Sequence, residues 1–406
     1  MRPHTHRATV YDLSREILAN IFIHAARLDP KWTVLRPGKS EGPFILSAVC
    51  AEWRAVATAT PELWAHLEFN FALPELEKIS TPLKLELVRT WLQNANGRPL
   101  GLDLAYHTPY NAEERGIDLS VNALKEVLEE FAARISVLKL KCGSNGVLGF
   151  FGQVPTGYPL LQELVIQPSA DFDVFTVAPN VPLPVFPRVT RLSVSRHYGR
   201  DNLLSSGPAF VKLFQRFELP ALQKLSLGLS RDFKPSVVHE PLMQICRAYA
   251  SSLTGLSLAF ECPTTVLADI LQSTREQLVE LRIVFTDEII DALAEKTLCL
   301  PRSLASLWIS VKLDACEEKR AGTSVALKSI EAIANVYGRS RDLDVFVLLK
   351  TFDDAKRYPI IGDCATFARK QGLNIGTDKH ALKVPYLGGH HMAFELGFSS
   401  ESRRGG

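Results

Sequence analysis

A chain of 406 residues exceeds what one ordinary core supports, since compact cores stop growing at about 250 to 300 residues, so it implies several domains or an elongated repeat array. Hydrophobic residues at 46% and charged residues at 22% exclude a disordered, collagenous or strongly charged chain. The 46 Lys plus Arg against 44 Asp plus Glu leave a formal charge of +2, which excludes a global field that would draw in nucleic acid or an anionic membrane.

Met1 to Leu13 is polar and basic, without the apolar run of a secretory leader. The seven cysteines (50, 142, 246, 262, 299, 316 and 364) are scattered, with no CxxC pair, and predict free thiols in a reducing compartment. The longest charge-free stretch, Cys142 to Gln162, carries too much glycine and proline for a membrane span. A soluble protein of the cytoplasm or nucleus, or both, is expected.

The first element in chain order is an amphipathic helix over Arg15 to Ala26, with Ser14 placed to cap it and Ile17, Leu18, Ile21, Phe22 and Ala25 at helical spacing. A polar interruption from Asp29 to Gly42 comes next. Pro43 then opens a second helix with the stripe Leu46, Val49, Trp53 and Val56, widened by Cys50 and Ala57. Thr60 and Pro61 start a short third element anchored by Leu63 and Trp64, and Trp64 is expected to bracket these helices to the repeats.

A different order governs the rest. The pattern Leu-x-x-Leu-x-Leu returns as ISVLKL (from Ile135), LQELVI (Leu161), VTRLSV (Val189), LQKLSL (Leu222), LTGLSL (Leu253), LVELRI (Leu278) and LASLWI (Leu304), with weaker members around Leu102 and Phe346. The steps between copies run from 25 to 33 residues. Helical periodicity fills several gaps: Leu119 to Arg134, Ala209 to Phe217, Val237 to Ser252, Thr264 to Gln277, Asp287 to Leu298 and Val325 to Tyr337. Each unit thus reads as helix then strand. Such units cannot cover their own apolar edges, whereas stacked units share a core between parallel strands and helices. Cys142 to Gln162 and Asp171 to Pro187 read as irregular insertions, and the chain after Gly372 loses its period.

The fold expected is α/β: a small helical module over residues 1–70, a repeat solenoid over 71–378 and a capping segment with a frayed tail over 379–406. In each repeat strand the leucines point inward, so the intervening residues line an open face. Trp308 stands out there, with Arg282, Arg191, Lys224 and Glu163 as polar members of a protein-binding surface. The same position of Trp308 is also compatible with cover by Tyr386 to Phe398.

No catalytic or metal signature emerges. Gly38-Lys39-Ser40 lacks the earlier glycine and the preceding strand of a phosphate loop, His239-Glu240 runs into Pro241 where a zinc helix needs its second histidine, and His390 and His391 are adjacent on a tail. No Gly-x-Ser-x-Gly elbow occurs. The chain is expected to be non-enzymatic, without cofactor or metal.

The N-terminal residues carry a family resemblance. LSREIL from Leu13, Ile21-Phe22, LSAVCAEWR from Leu46 and PELW from Pro61 resemble an F-box, in particular the fungal F-box-like group with an insertion between its first two helices. The likeness extends through Leu87 to Gln93 and Pro99 to Leu102, and Ser14 stands where the F-box usually has proline. The resemblance implies docking to the Skp adaptor, and through it to a cullin scaffold of a ubiquitin ligase, with the repeats holding a protein substrate. Leu13, Ile17, Leu18, Val49 and Trp53 are then the adaptor-facing candidates; packing of these side chains among themselves is the competing arrangement. A repeat scaffold with no ligase role is the alternative reading.

Overall fold

The computed structural model describes residues 13–28, 30–35, 42–71, 79–106, 118–142, 157–168, 185–195, 217–228, 235–312, 344–350, 376–377 and 396–397. The chain divides into two compact units, Met1–Pro168 with Thr176–Arg188, and Ser169–Phe175 with Val189–Gly406. Both are α/β, built on parallel strands and helices.

The first unit begins with α1 (Arg15–Leu28), α2 (Pro43–Val49), α3 (Ala51–Thr58) and a single 3-10 turn, Pro61–Leu63. Ser14 caps α1, its Oγ accepting from Ile17 N–H at 3.4 Å while its carbonyl accepts from Leu18 N–H at 3.0 Å. The second predicted helix is broken in two. Cys50 takes an extended conformation (φ −157°, ψ 172°), and its Sγ accepts from Trp53 N–H at 3.4 Å, so this thiol caps α3 rather than widening a continuous stripe. Periodicity could not reveal the break because α2 and α3 keep apolar residues in phase across it.

After these helices come β1 (His66–Asn70), α4 (Thr81–Asn94), β2 (Leu100–Tyr106), α5 (Asp118–Phe131), β3 (Ile135–Cys142) and β4 (Glu163–Pro168), with β1 to β4 parallel and neighbours in chain order. The sequence does not announce β1. Its buried residues Leu67 and Phe69 alternate over only five positions, too short a run to stand out beside the helical pattern before it. The segment read as a polar interruption adds to this edge: Val34 bridges Glu68, and Leu35, which is buried, donates to the Glu68 carbonyl at 2.9 Å. Trp64 ties α2 and α3 to α4, the helix that precedes β2. It is 1% exposed, its Nε1 donates to the Ala57 carbonyl at 2.8 Å, and its ring meets Phe44 and Trp91 edge-on at 5.2 and 5.4 Å.

The second unit carries β5 (Arg191–Ser195), β6 (Lys224–Gly228), α6 (Pro235–Ala248), β7 (Gly255–Leu258), α7 (Thr264–Ser273), β8 (Glu280–Phe285), α8 (Asp287–Ala294), β9 (Ser306–Lys312) and β10 (Asp344–Lys350), with β5 to β10 parallel in chain order. Two short strands, β11 (Gly376–Thr377) and β12 (Leu396–Gly397), pair antiparallel. Every Leu-x-x-Leu-x-Leu segment contributes one strand. The predicted helices over Ala209 to Phe217 and Val325 to Tyr337 lie outside the described residues apart from Phe217.

In both units the inward leucines do what their spacing requires: Leu138, Leu140, Leu164, Leu192, Leu225, Leu256, Leu281 and Leu307 are all at most 2% exposed. Each such burial is worth about 1.5 to 3 kcal/mol, so the repeats supply most of the driving force. The backbone registers successive strands of the second unit by one recurring device. Two consecutive N–H groups converge on a carbonyl of the preceding repeat: Gln223 and Lys224 on Thr190, Thr254 and Gly255 on Gln223, Val279 and Glu280 on Thr254, Ala305 and Ser306 on Val279, all at 2.8 to 3.0 Å.

Serine hydroxyls reinforce that stacking. Ser252 Oγ donates to the Leu222 carbonyl at 2.7 Å and Ser303 Oγ to the Leu278 carbonyl at 2.8 Å, each from the position before a buried leucine to its counterpart one repeat earlier. Replacing Ser252 by Ala is expected to destabilise the second unit by about 1 kcal/mol; a urea midpoint unchanged from wild type would refute this role.

Cys246 and Cys262 are buried free thiols whose pKa values burial pushes up to about 12, Cys246 also feeling Cys262. Burial of the neutral thiols contributes stability that is fully present below the ordinary thiol pKa and is lost as pH rises toward 12. Exposed Cys299 should therefore react with a thiol reagent in the native protein, while Cys246 and Cys262 stay protected until unfolding, as read by peptide mass spectrometry.

Candidate functional site

Two surfaces gather the residues singled out from the sequence, one in each unit. On α1, Leu18 and Phe22 point inward at 4% and 2% exposure, and the Phe22 ring lies 4.9 Å from that of Trp53 on α3. The other flank of α1 is apolar as well and is uncovered: Ile17 is 49% exposed, Ile21 47% and Leu28 70%. On a helix of 3.6 residues per turn these three lie within about 40° of one another. Val49, at the end of α2, is a further exposed apolar side chain, and Leu13 is half-buried.

This corrects one expectation and extends the set. Leu18 cannot meet a partner, because one residue from Ile17 turns it about 100° into the core. Trp53 is half-buried against Phe22 and presents only part of its ring. Ile21 and Leu28 belong to the exposed stripe with Ile17. Their spacing was visible, but a helix apolar on two flanks does not say which flank the core takes. The polar surroundings are charged: Arg15 on α1 stands 3.8 Å from Glu52 on α3, and a backbone hydrogen bond, the Ser14 hydroxyl and neighbouring Arg15 hold the Glu16 carboxyl below its ordinary range.

In the second unit the open face of the strands brings four of the five predicted residues into two adjacent rows. Arg191, Lys224, Gly255, Glu280 and Ser306 form one row across β5 to β9; Ser193, Ser226, Ser257, Arg282 and Trp308 form the next. Lys224 reaches across β7 to Glu280, Nζ to Oε2 2.6 Å. Gly255 makes this crossing possible, since a Cβ there would lie 3.1 Å from Lys224 Cγ. Arg282 lies over Trp308, its guanidinium carbon 4.7 Å from the ring centroid. Both side chains are half-buried, and burial lowers the Arg282 pKa against the opposing pull of Glu280. Glu163 is not part of this cluster. It lies on β4 of the first unit, half-buried and in register with Val137.

The first unit uses the same glycine device on its own strands. His66 on β1 lies across Gly101 on β2, where a Cβ would stand 2.4 Å from His66 Nδ1, and burial together with Lys139 lowers the His66 pKa. Asp103 pairs with Lys141 at 2.9 Å on this face. Neither glycine carried a signal in the sequence, because the need for it arises from a side chain on the neighbouring strand.

Among the described residues no group of His, Cys, Asp or Glu is placed to hold a metal ion, and no helix is long and apolar enough to cross a membrane. The two surfaces are an exposed apolar stripe on α1 and a mixed-charge strand face with one cation over an indole. No protein-family model matches the chain, and no curated protein is significantly similar to it.

Proposed function

We propose that this protein is a non-catalytic substrate receptor of a Skp–cullin–F-box ubiquitin ligase. In this reading α1 to α3 form a divergent F-box that docks the Skp adaptor. The helix and strand units form an irregular leucine-rich-repeat solenoid whose open face holds a protein target, and the complex works in the cytoplasm or nucleus. The chain contributes positioning, raising the effective concentration of target at the ligase, and no chemistry of its own.

The observation that carries the reading is the uncovered stripe Ile17, Ile21 and Leu28 on α1, with Val49 nearby on α2. A helical module that hides Leu18 and Phe22 yet leaves a second apolar flank in water supports burial of that flank against a partner. Since each of these side chains is about half exposed or more, docking would gain on the order of 1 kcal/mol per residue from the remaining burial. The resemblance of the N-terminal motifs LSREIL, LSAVCAEWR and PELW to an F-box supports this partner class, and the mixed-charge open face fits a protein target better than nucleic acid.

Copurification of the full chain with a Skp adaptor, and with a cullin through it, tests the proposal. No binding at micromolar adaptor would sink the ligase reading and leave a repeat scaffold for protein interaction.

A further inference from the structure

In the row Ser193, Ser226, Ser257, Arg282 and Trp308, the three serines and the arginine hold an unused hydrogen-bonding capacity. Its members stand side by side on five consecutive parallel strands, about 4.8 Å apart, and all are half-buried. Among the described residues the three serine hydroxyls make no hydrogen bond, and the Arg282 guanidinium makes neither hydrogen bond nor ion pair. The guanidinium sits over the Trp308 ring, a contact that uses none of its N–H donors in a hydrogen bond. This half-buried cation makes no ion pair among the described residues, and the pull of Glu280 offsets its desolvation only in part, so an anionic ligand has a ready place.

The local charge selects the anion. Lys224 in the next row is matched by Glu280 at 2.6 Å, and Arg191 is three strand spacings from Arg282, about 14 Å. A single guanidinium on β8 without an ion pair suits a monoanionic carboxylate, which it binds through two parallel N–H···O bonds. A phosphate dianion would call for a second cation within reach.

We propose that the open face of the second unit recognises an extended acidic segment of a partner protein, with one Asp or Glu carboxylate paired to Arg282 over Trp308 and the adjoining peptide groups on the serines of β7, β6 and β5. This deepens the target-holding part of the proposed function and rests on it, but not on adaptor docking.

The test selects peptides from a displayed random dodecapeptide library on the full chain, then measures the winners by fluorescence anisotropy. The expected winners share one Asp or Glu, and changing it to Gln weakens binding at least about 10-fold. Arg282→Gln should cost as much with no further loss when both changes are combined, and Arg282→Lys should recover part. Trp308→Ala should weaken binding with little change in melting temperature. Should Arg282→Gln fail to fold, the Glu-to-Gln change on the peptide still reads the contact. Absence of enriched peptides, winners without a shared acid, or a Glu-to-Gln cost under about 2-fold overturns the proposal; so does a phosphoserine at that position binding about 10-fold tighter, which would assign a dianion. Adaptor binding by the wild-type chain separates the two readings: adaptor bound with no enriched acidic peptide overturns only the carboxylate site, and an acidic peptide bound without adaptor overturns only the F-box.

Discussion

Changing Ile17 and Ile21 together to Asp is expected to weaken adaptor binding by at least about 100-fold while leaving the melting temperature within a degree or two of wild type. The two side chains are 49% and 47% exposed, so a carboxylate at either position stays hydrated in the free protein and costs the fold little. In a complex that buries the stripe, the same carboxylates would be desolvated without partners, which is the expensive event. Leu18→Ala is the contrasting control. That side chain is 4% exposed, and its truncation should cost about 2 to 5 kcal/mol of stability. Equal loss of stability from the surface pair and from Leu18 would show that the stripe is covered within the chain, and the docking proposal would fall.

Trp64→Ala should be the most damaging single change in the first unit, lowering its stability by about 3 to 5 kcal/mol. The indole joins three things at once: the Ala57 carbonyl at the end of α3 through Nε1, Phe44 of α2, and Trp91 of α4. Its removal opens a cavity at the seam of α2 and α3 with α4, and takes the indole donor from the Ala57 carbonyl, which keeps the Thr60 N–H at 3.3 Å. Trp64→Phe keeps two aromatic neighbours and loses the hydrogen bond, so it should fall between wild type and Ala. Urea unfolding with hydrogen exchange over α1 to α4 measures both, and a loss below about 1 kcal/mol for Ala would contradict the seam.

How far the sequence can be read depends on which interactions are periodic. Leu225 and Leu227, or Leu281 and Ile283, announce a strand because every repeat places its leucines alike, and each such segment is a parallel strand in the structure. The cap formed by Cys50 and the short strand β1 leave no such mark, since each is a single local event beside a stronger pattern. Strand position alone groups Glu163 with Arg282, yet it lies in a different compact unit.

Composition, the Leu-x-x-Leu-x-Leu spacing and the helical periods between copies by themselves determined an α/β chain of repeating helix and strand behind a helical module, because burial of leucine is local, strong and repeated. Which flank of α1 stays in water, the passage of Lys224 over Gly255 to Glu280, and the stacking of Arg282 on Trp308 were decided only by tertiary structure. Those features depend on what lies on the neighbouring element, and side-chain chemistry read along one segment does not contain its neighbour across the sheet.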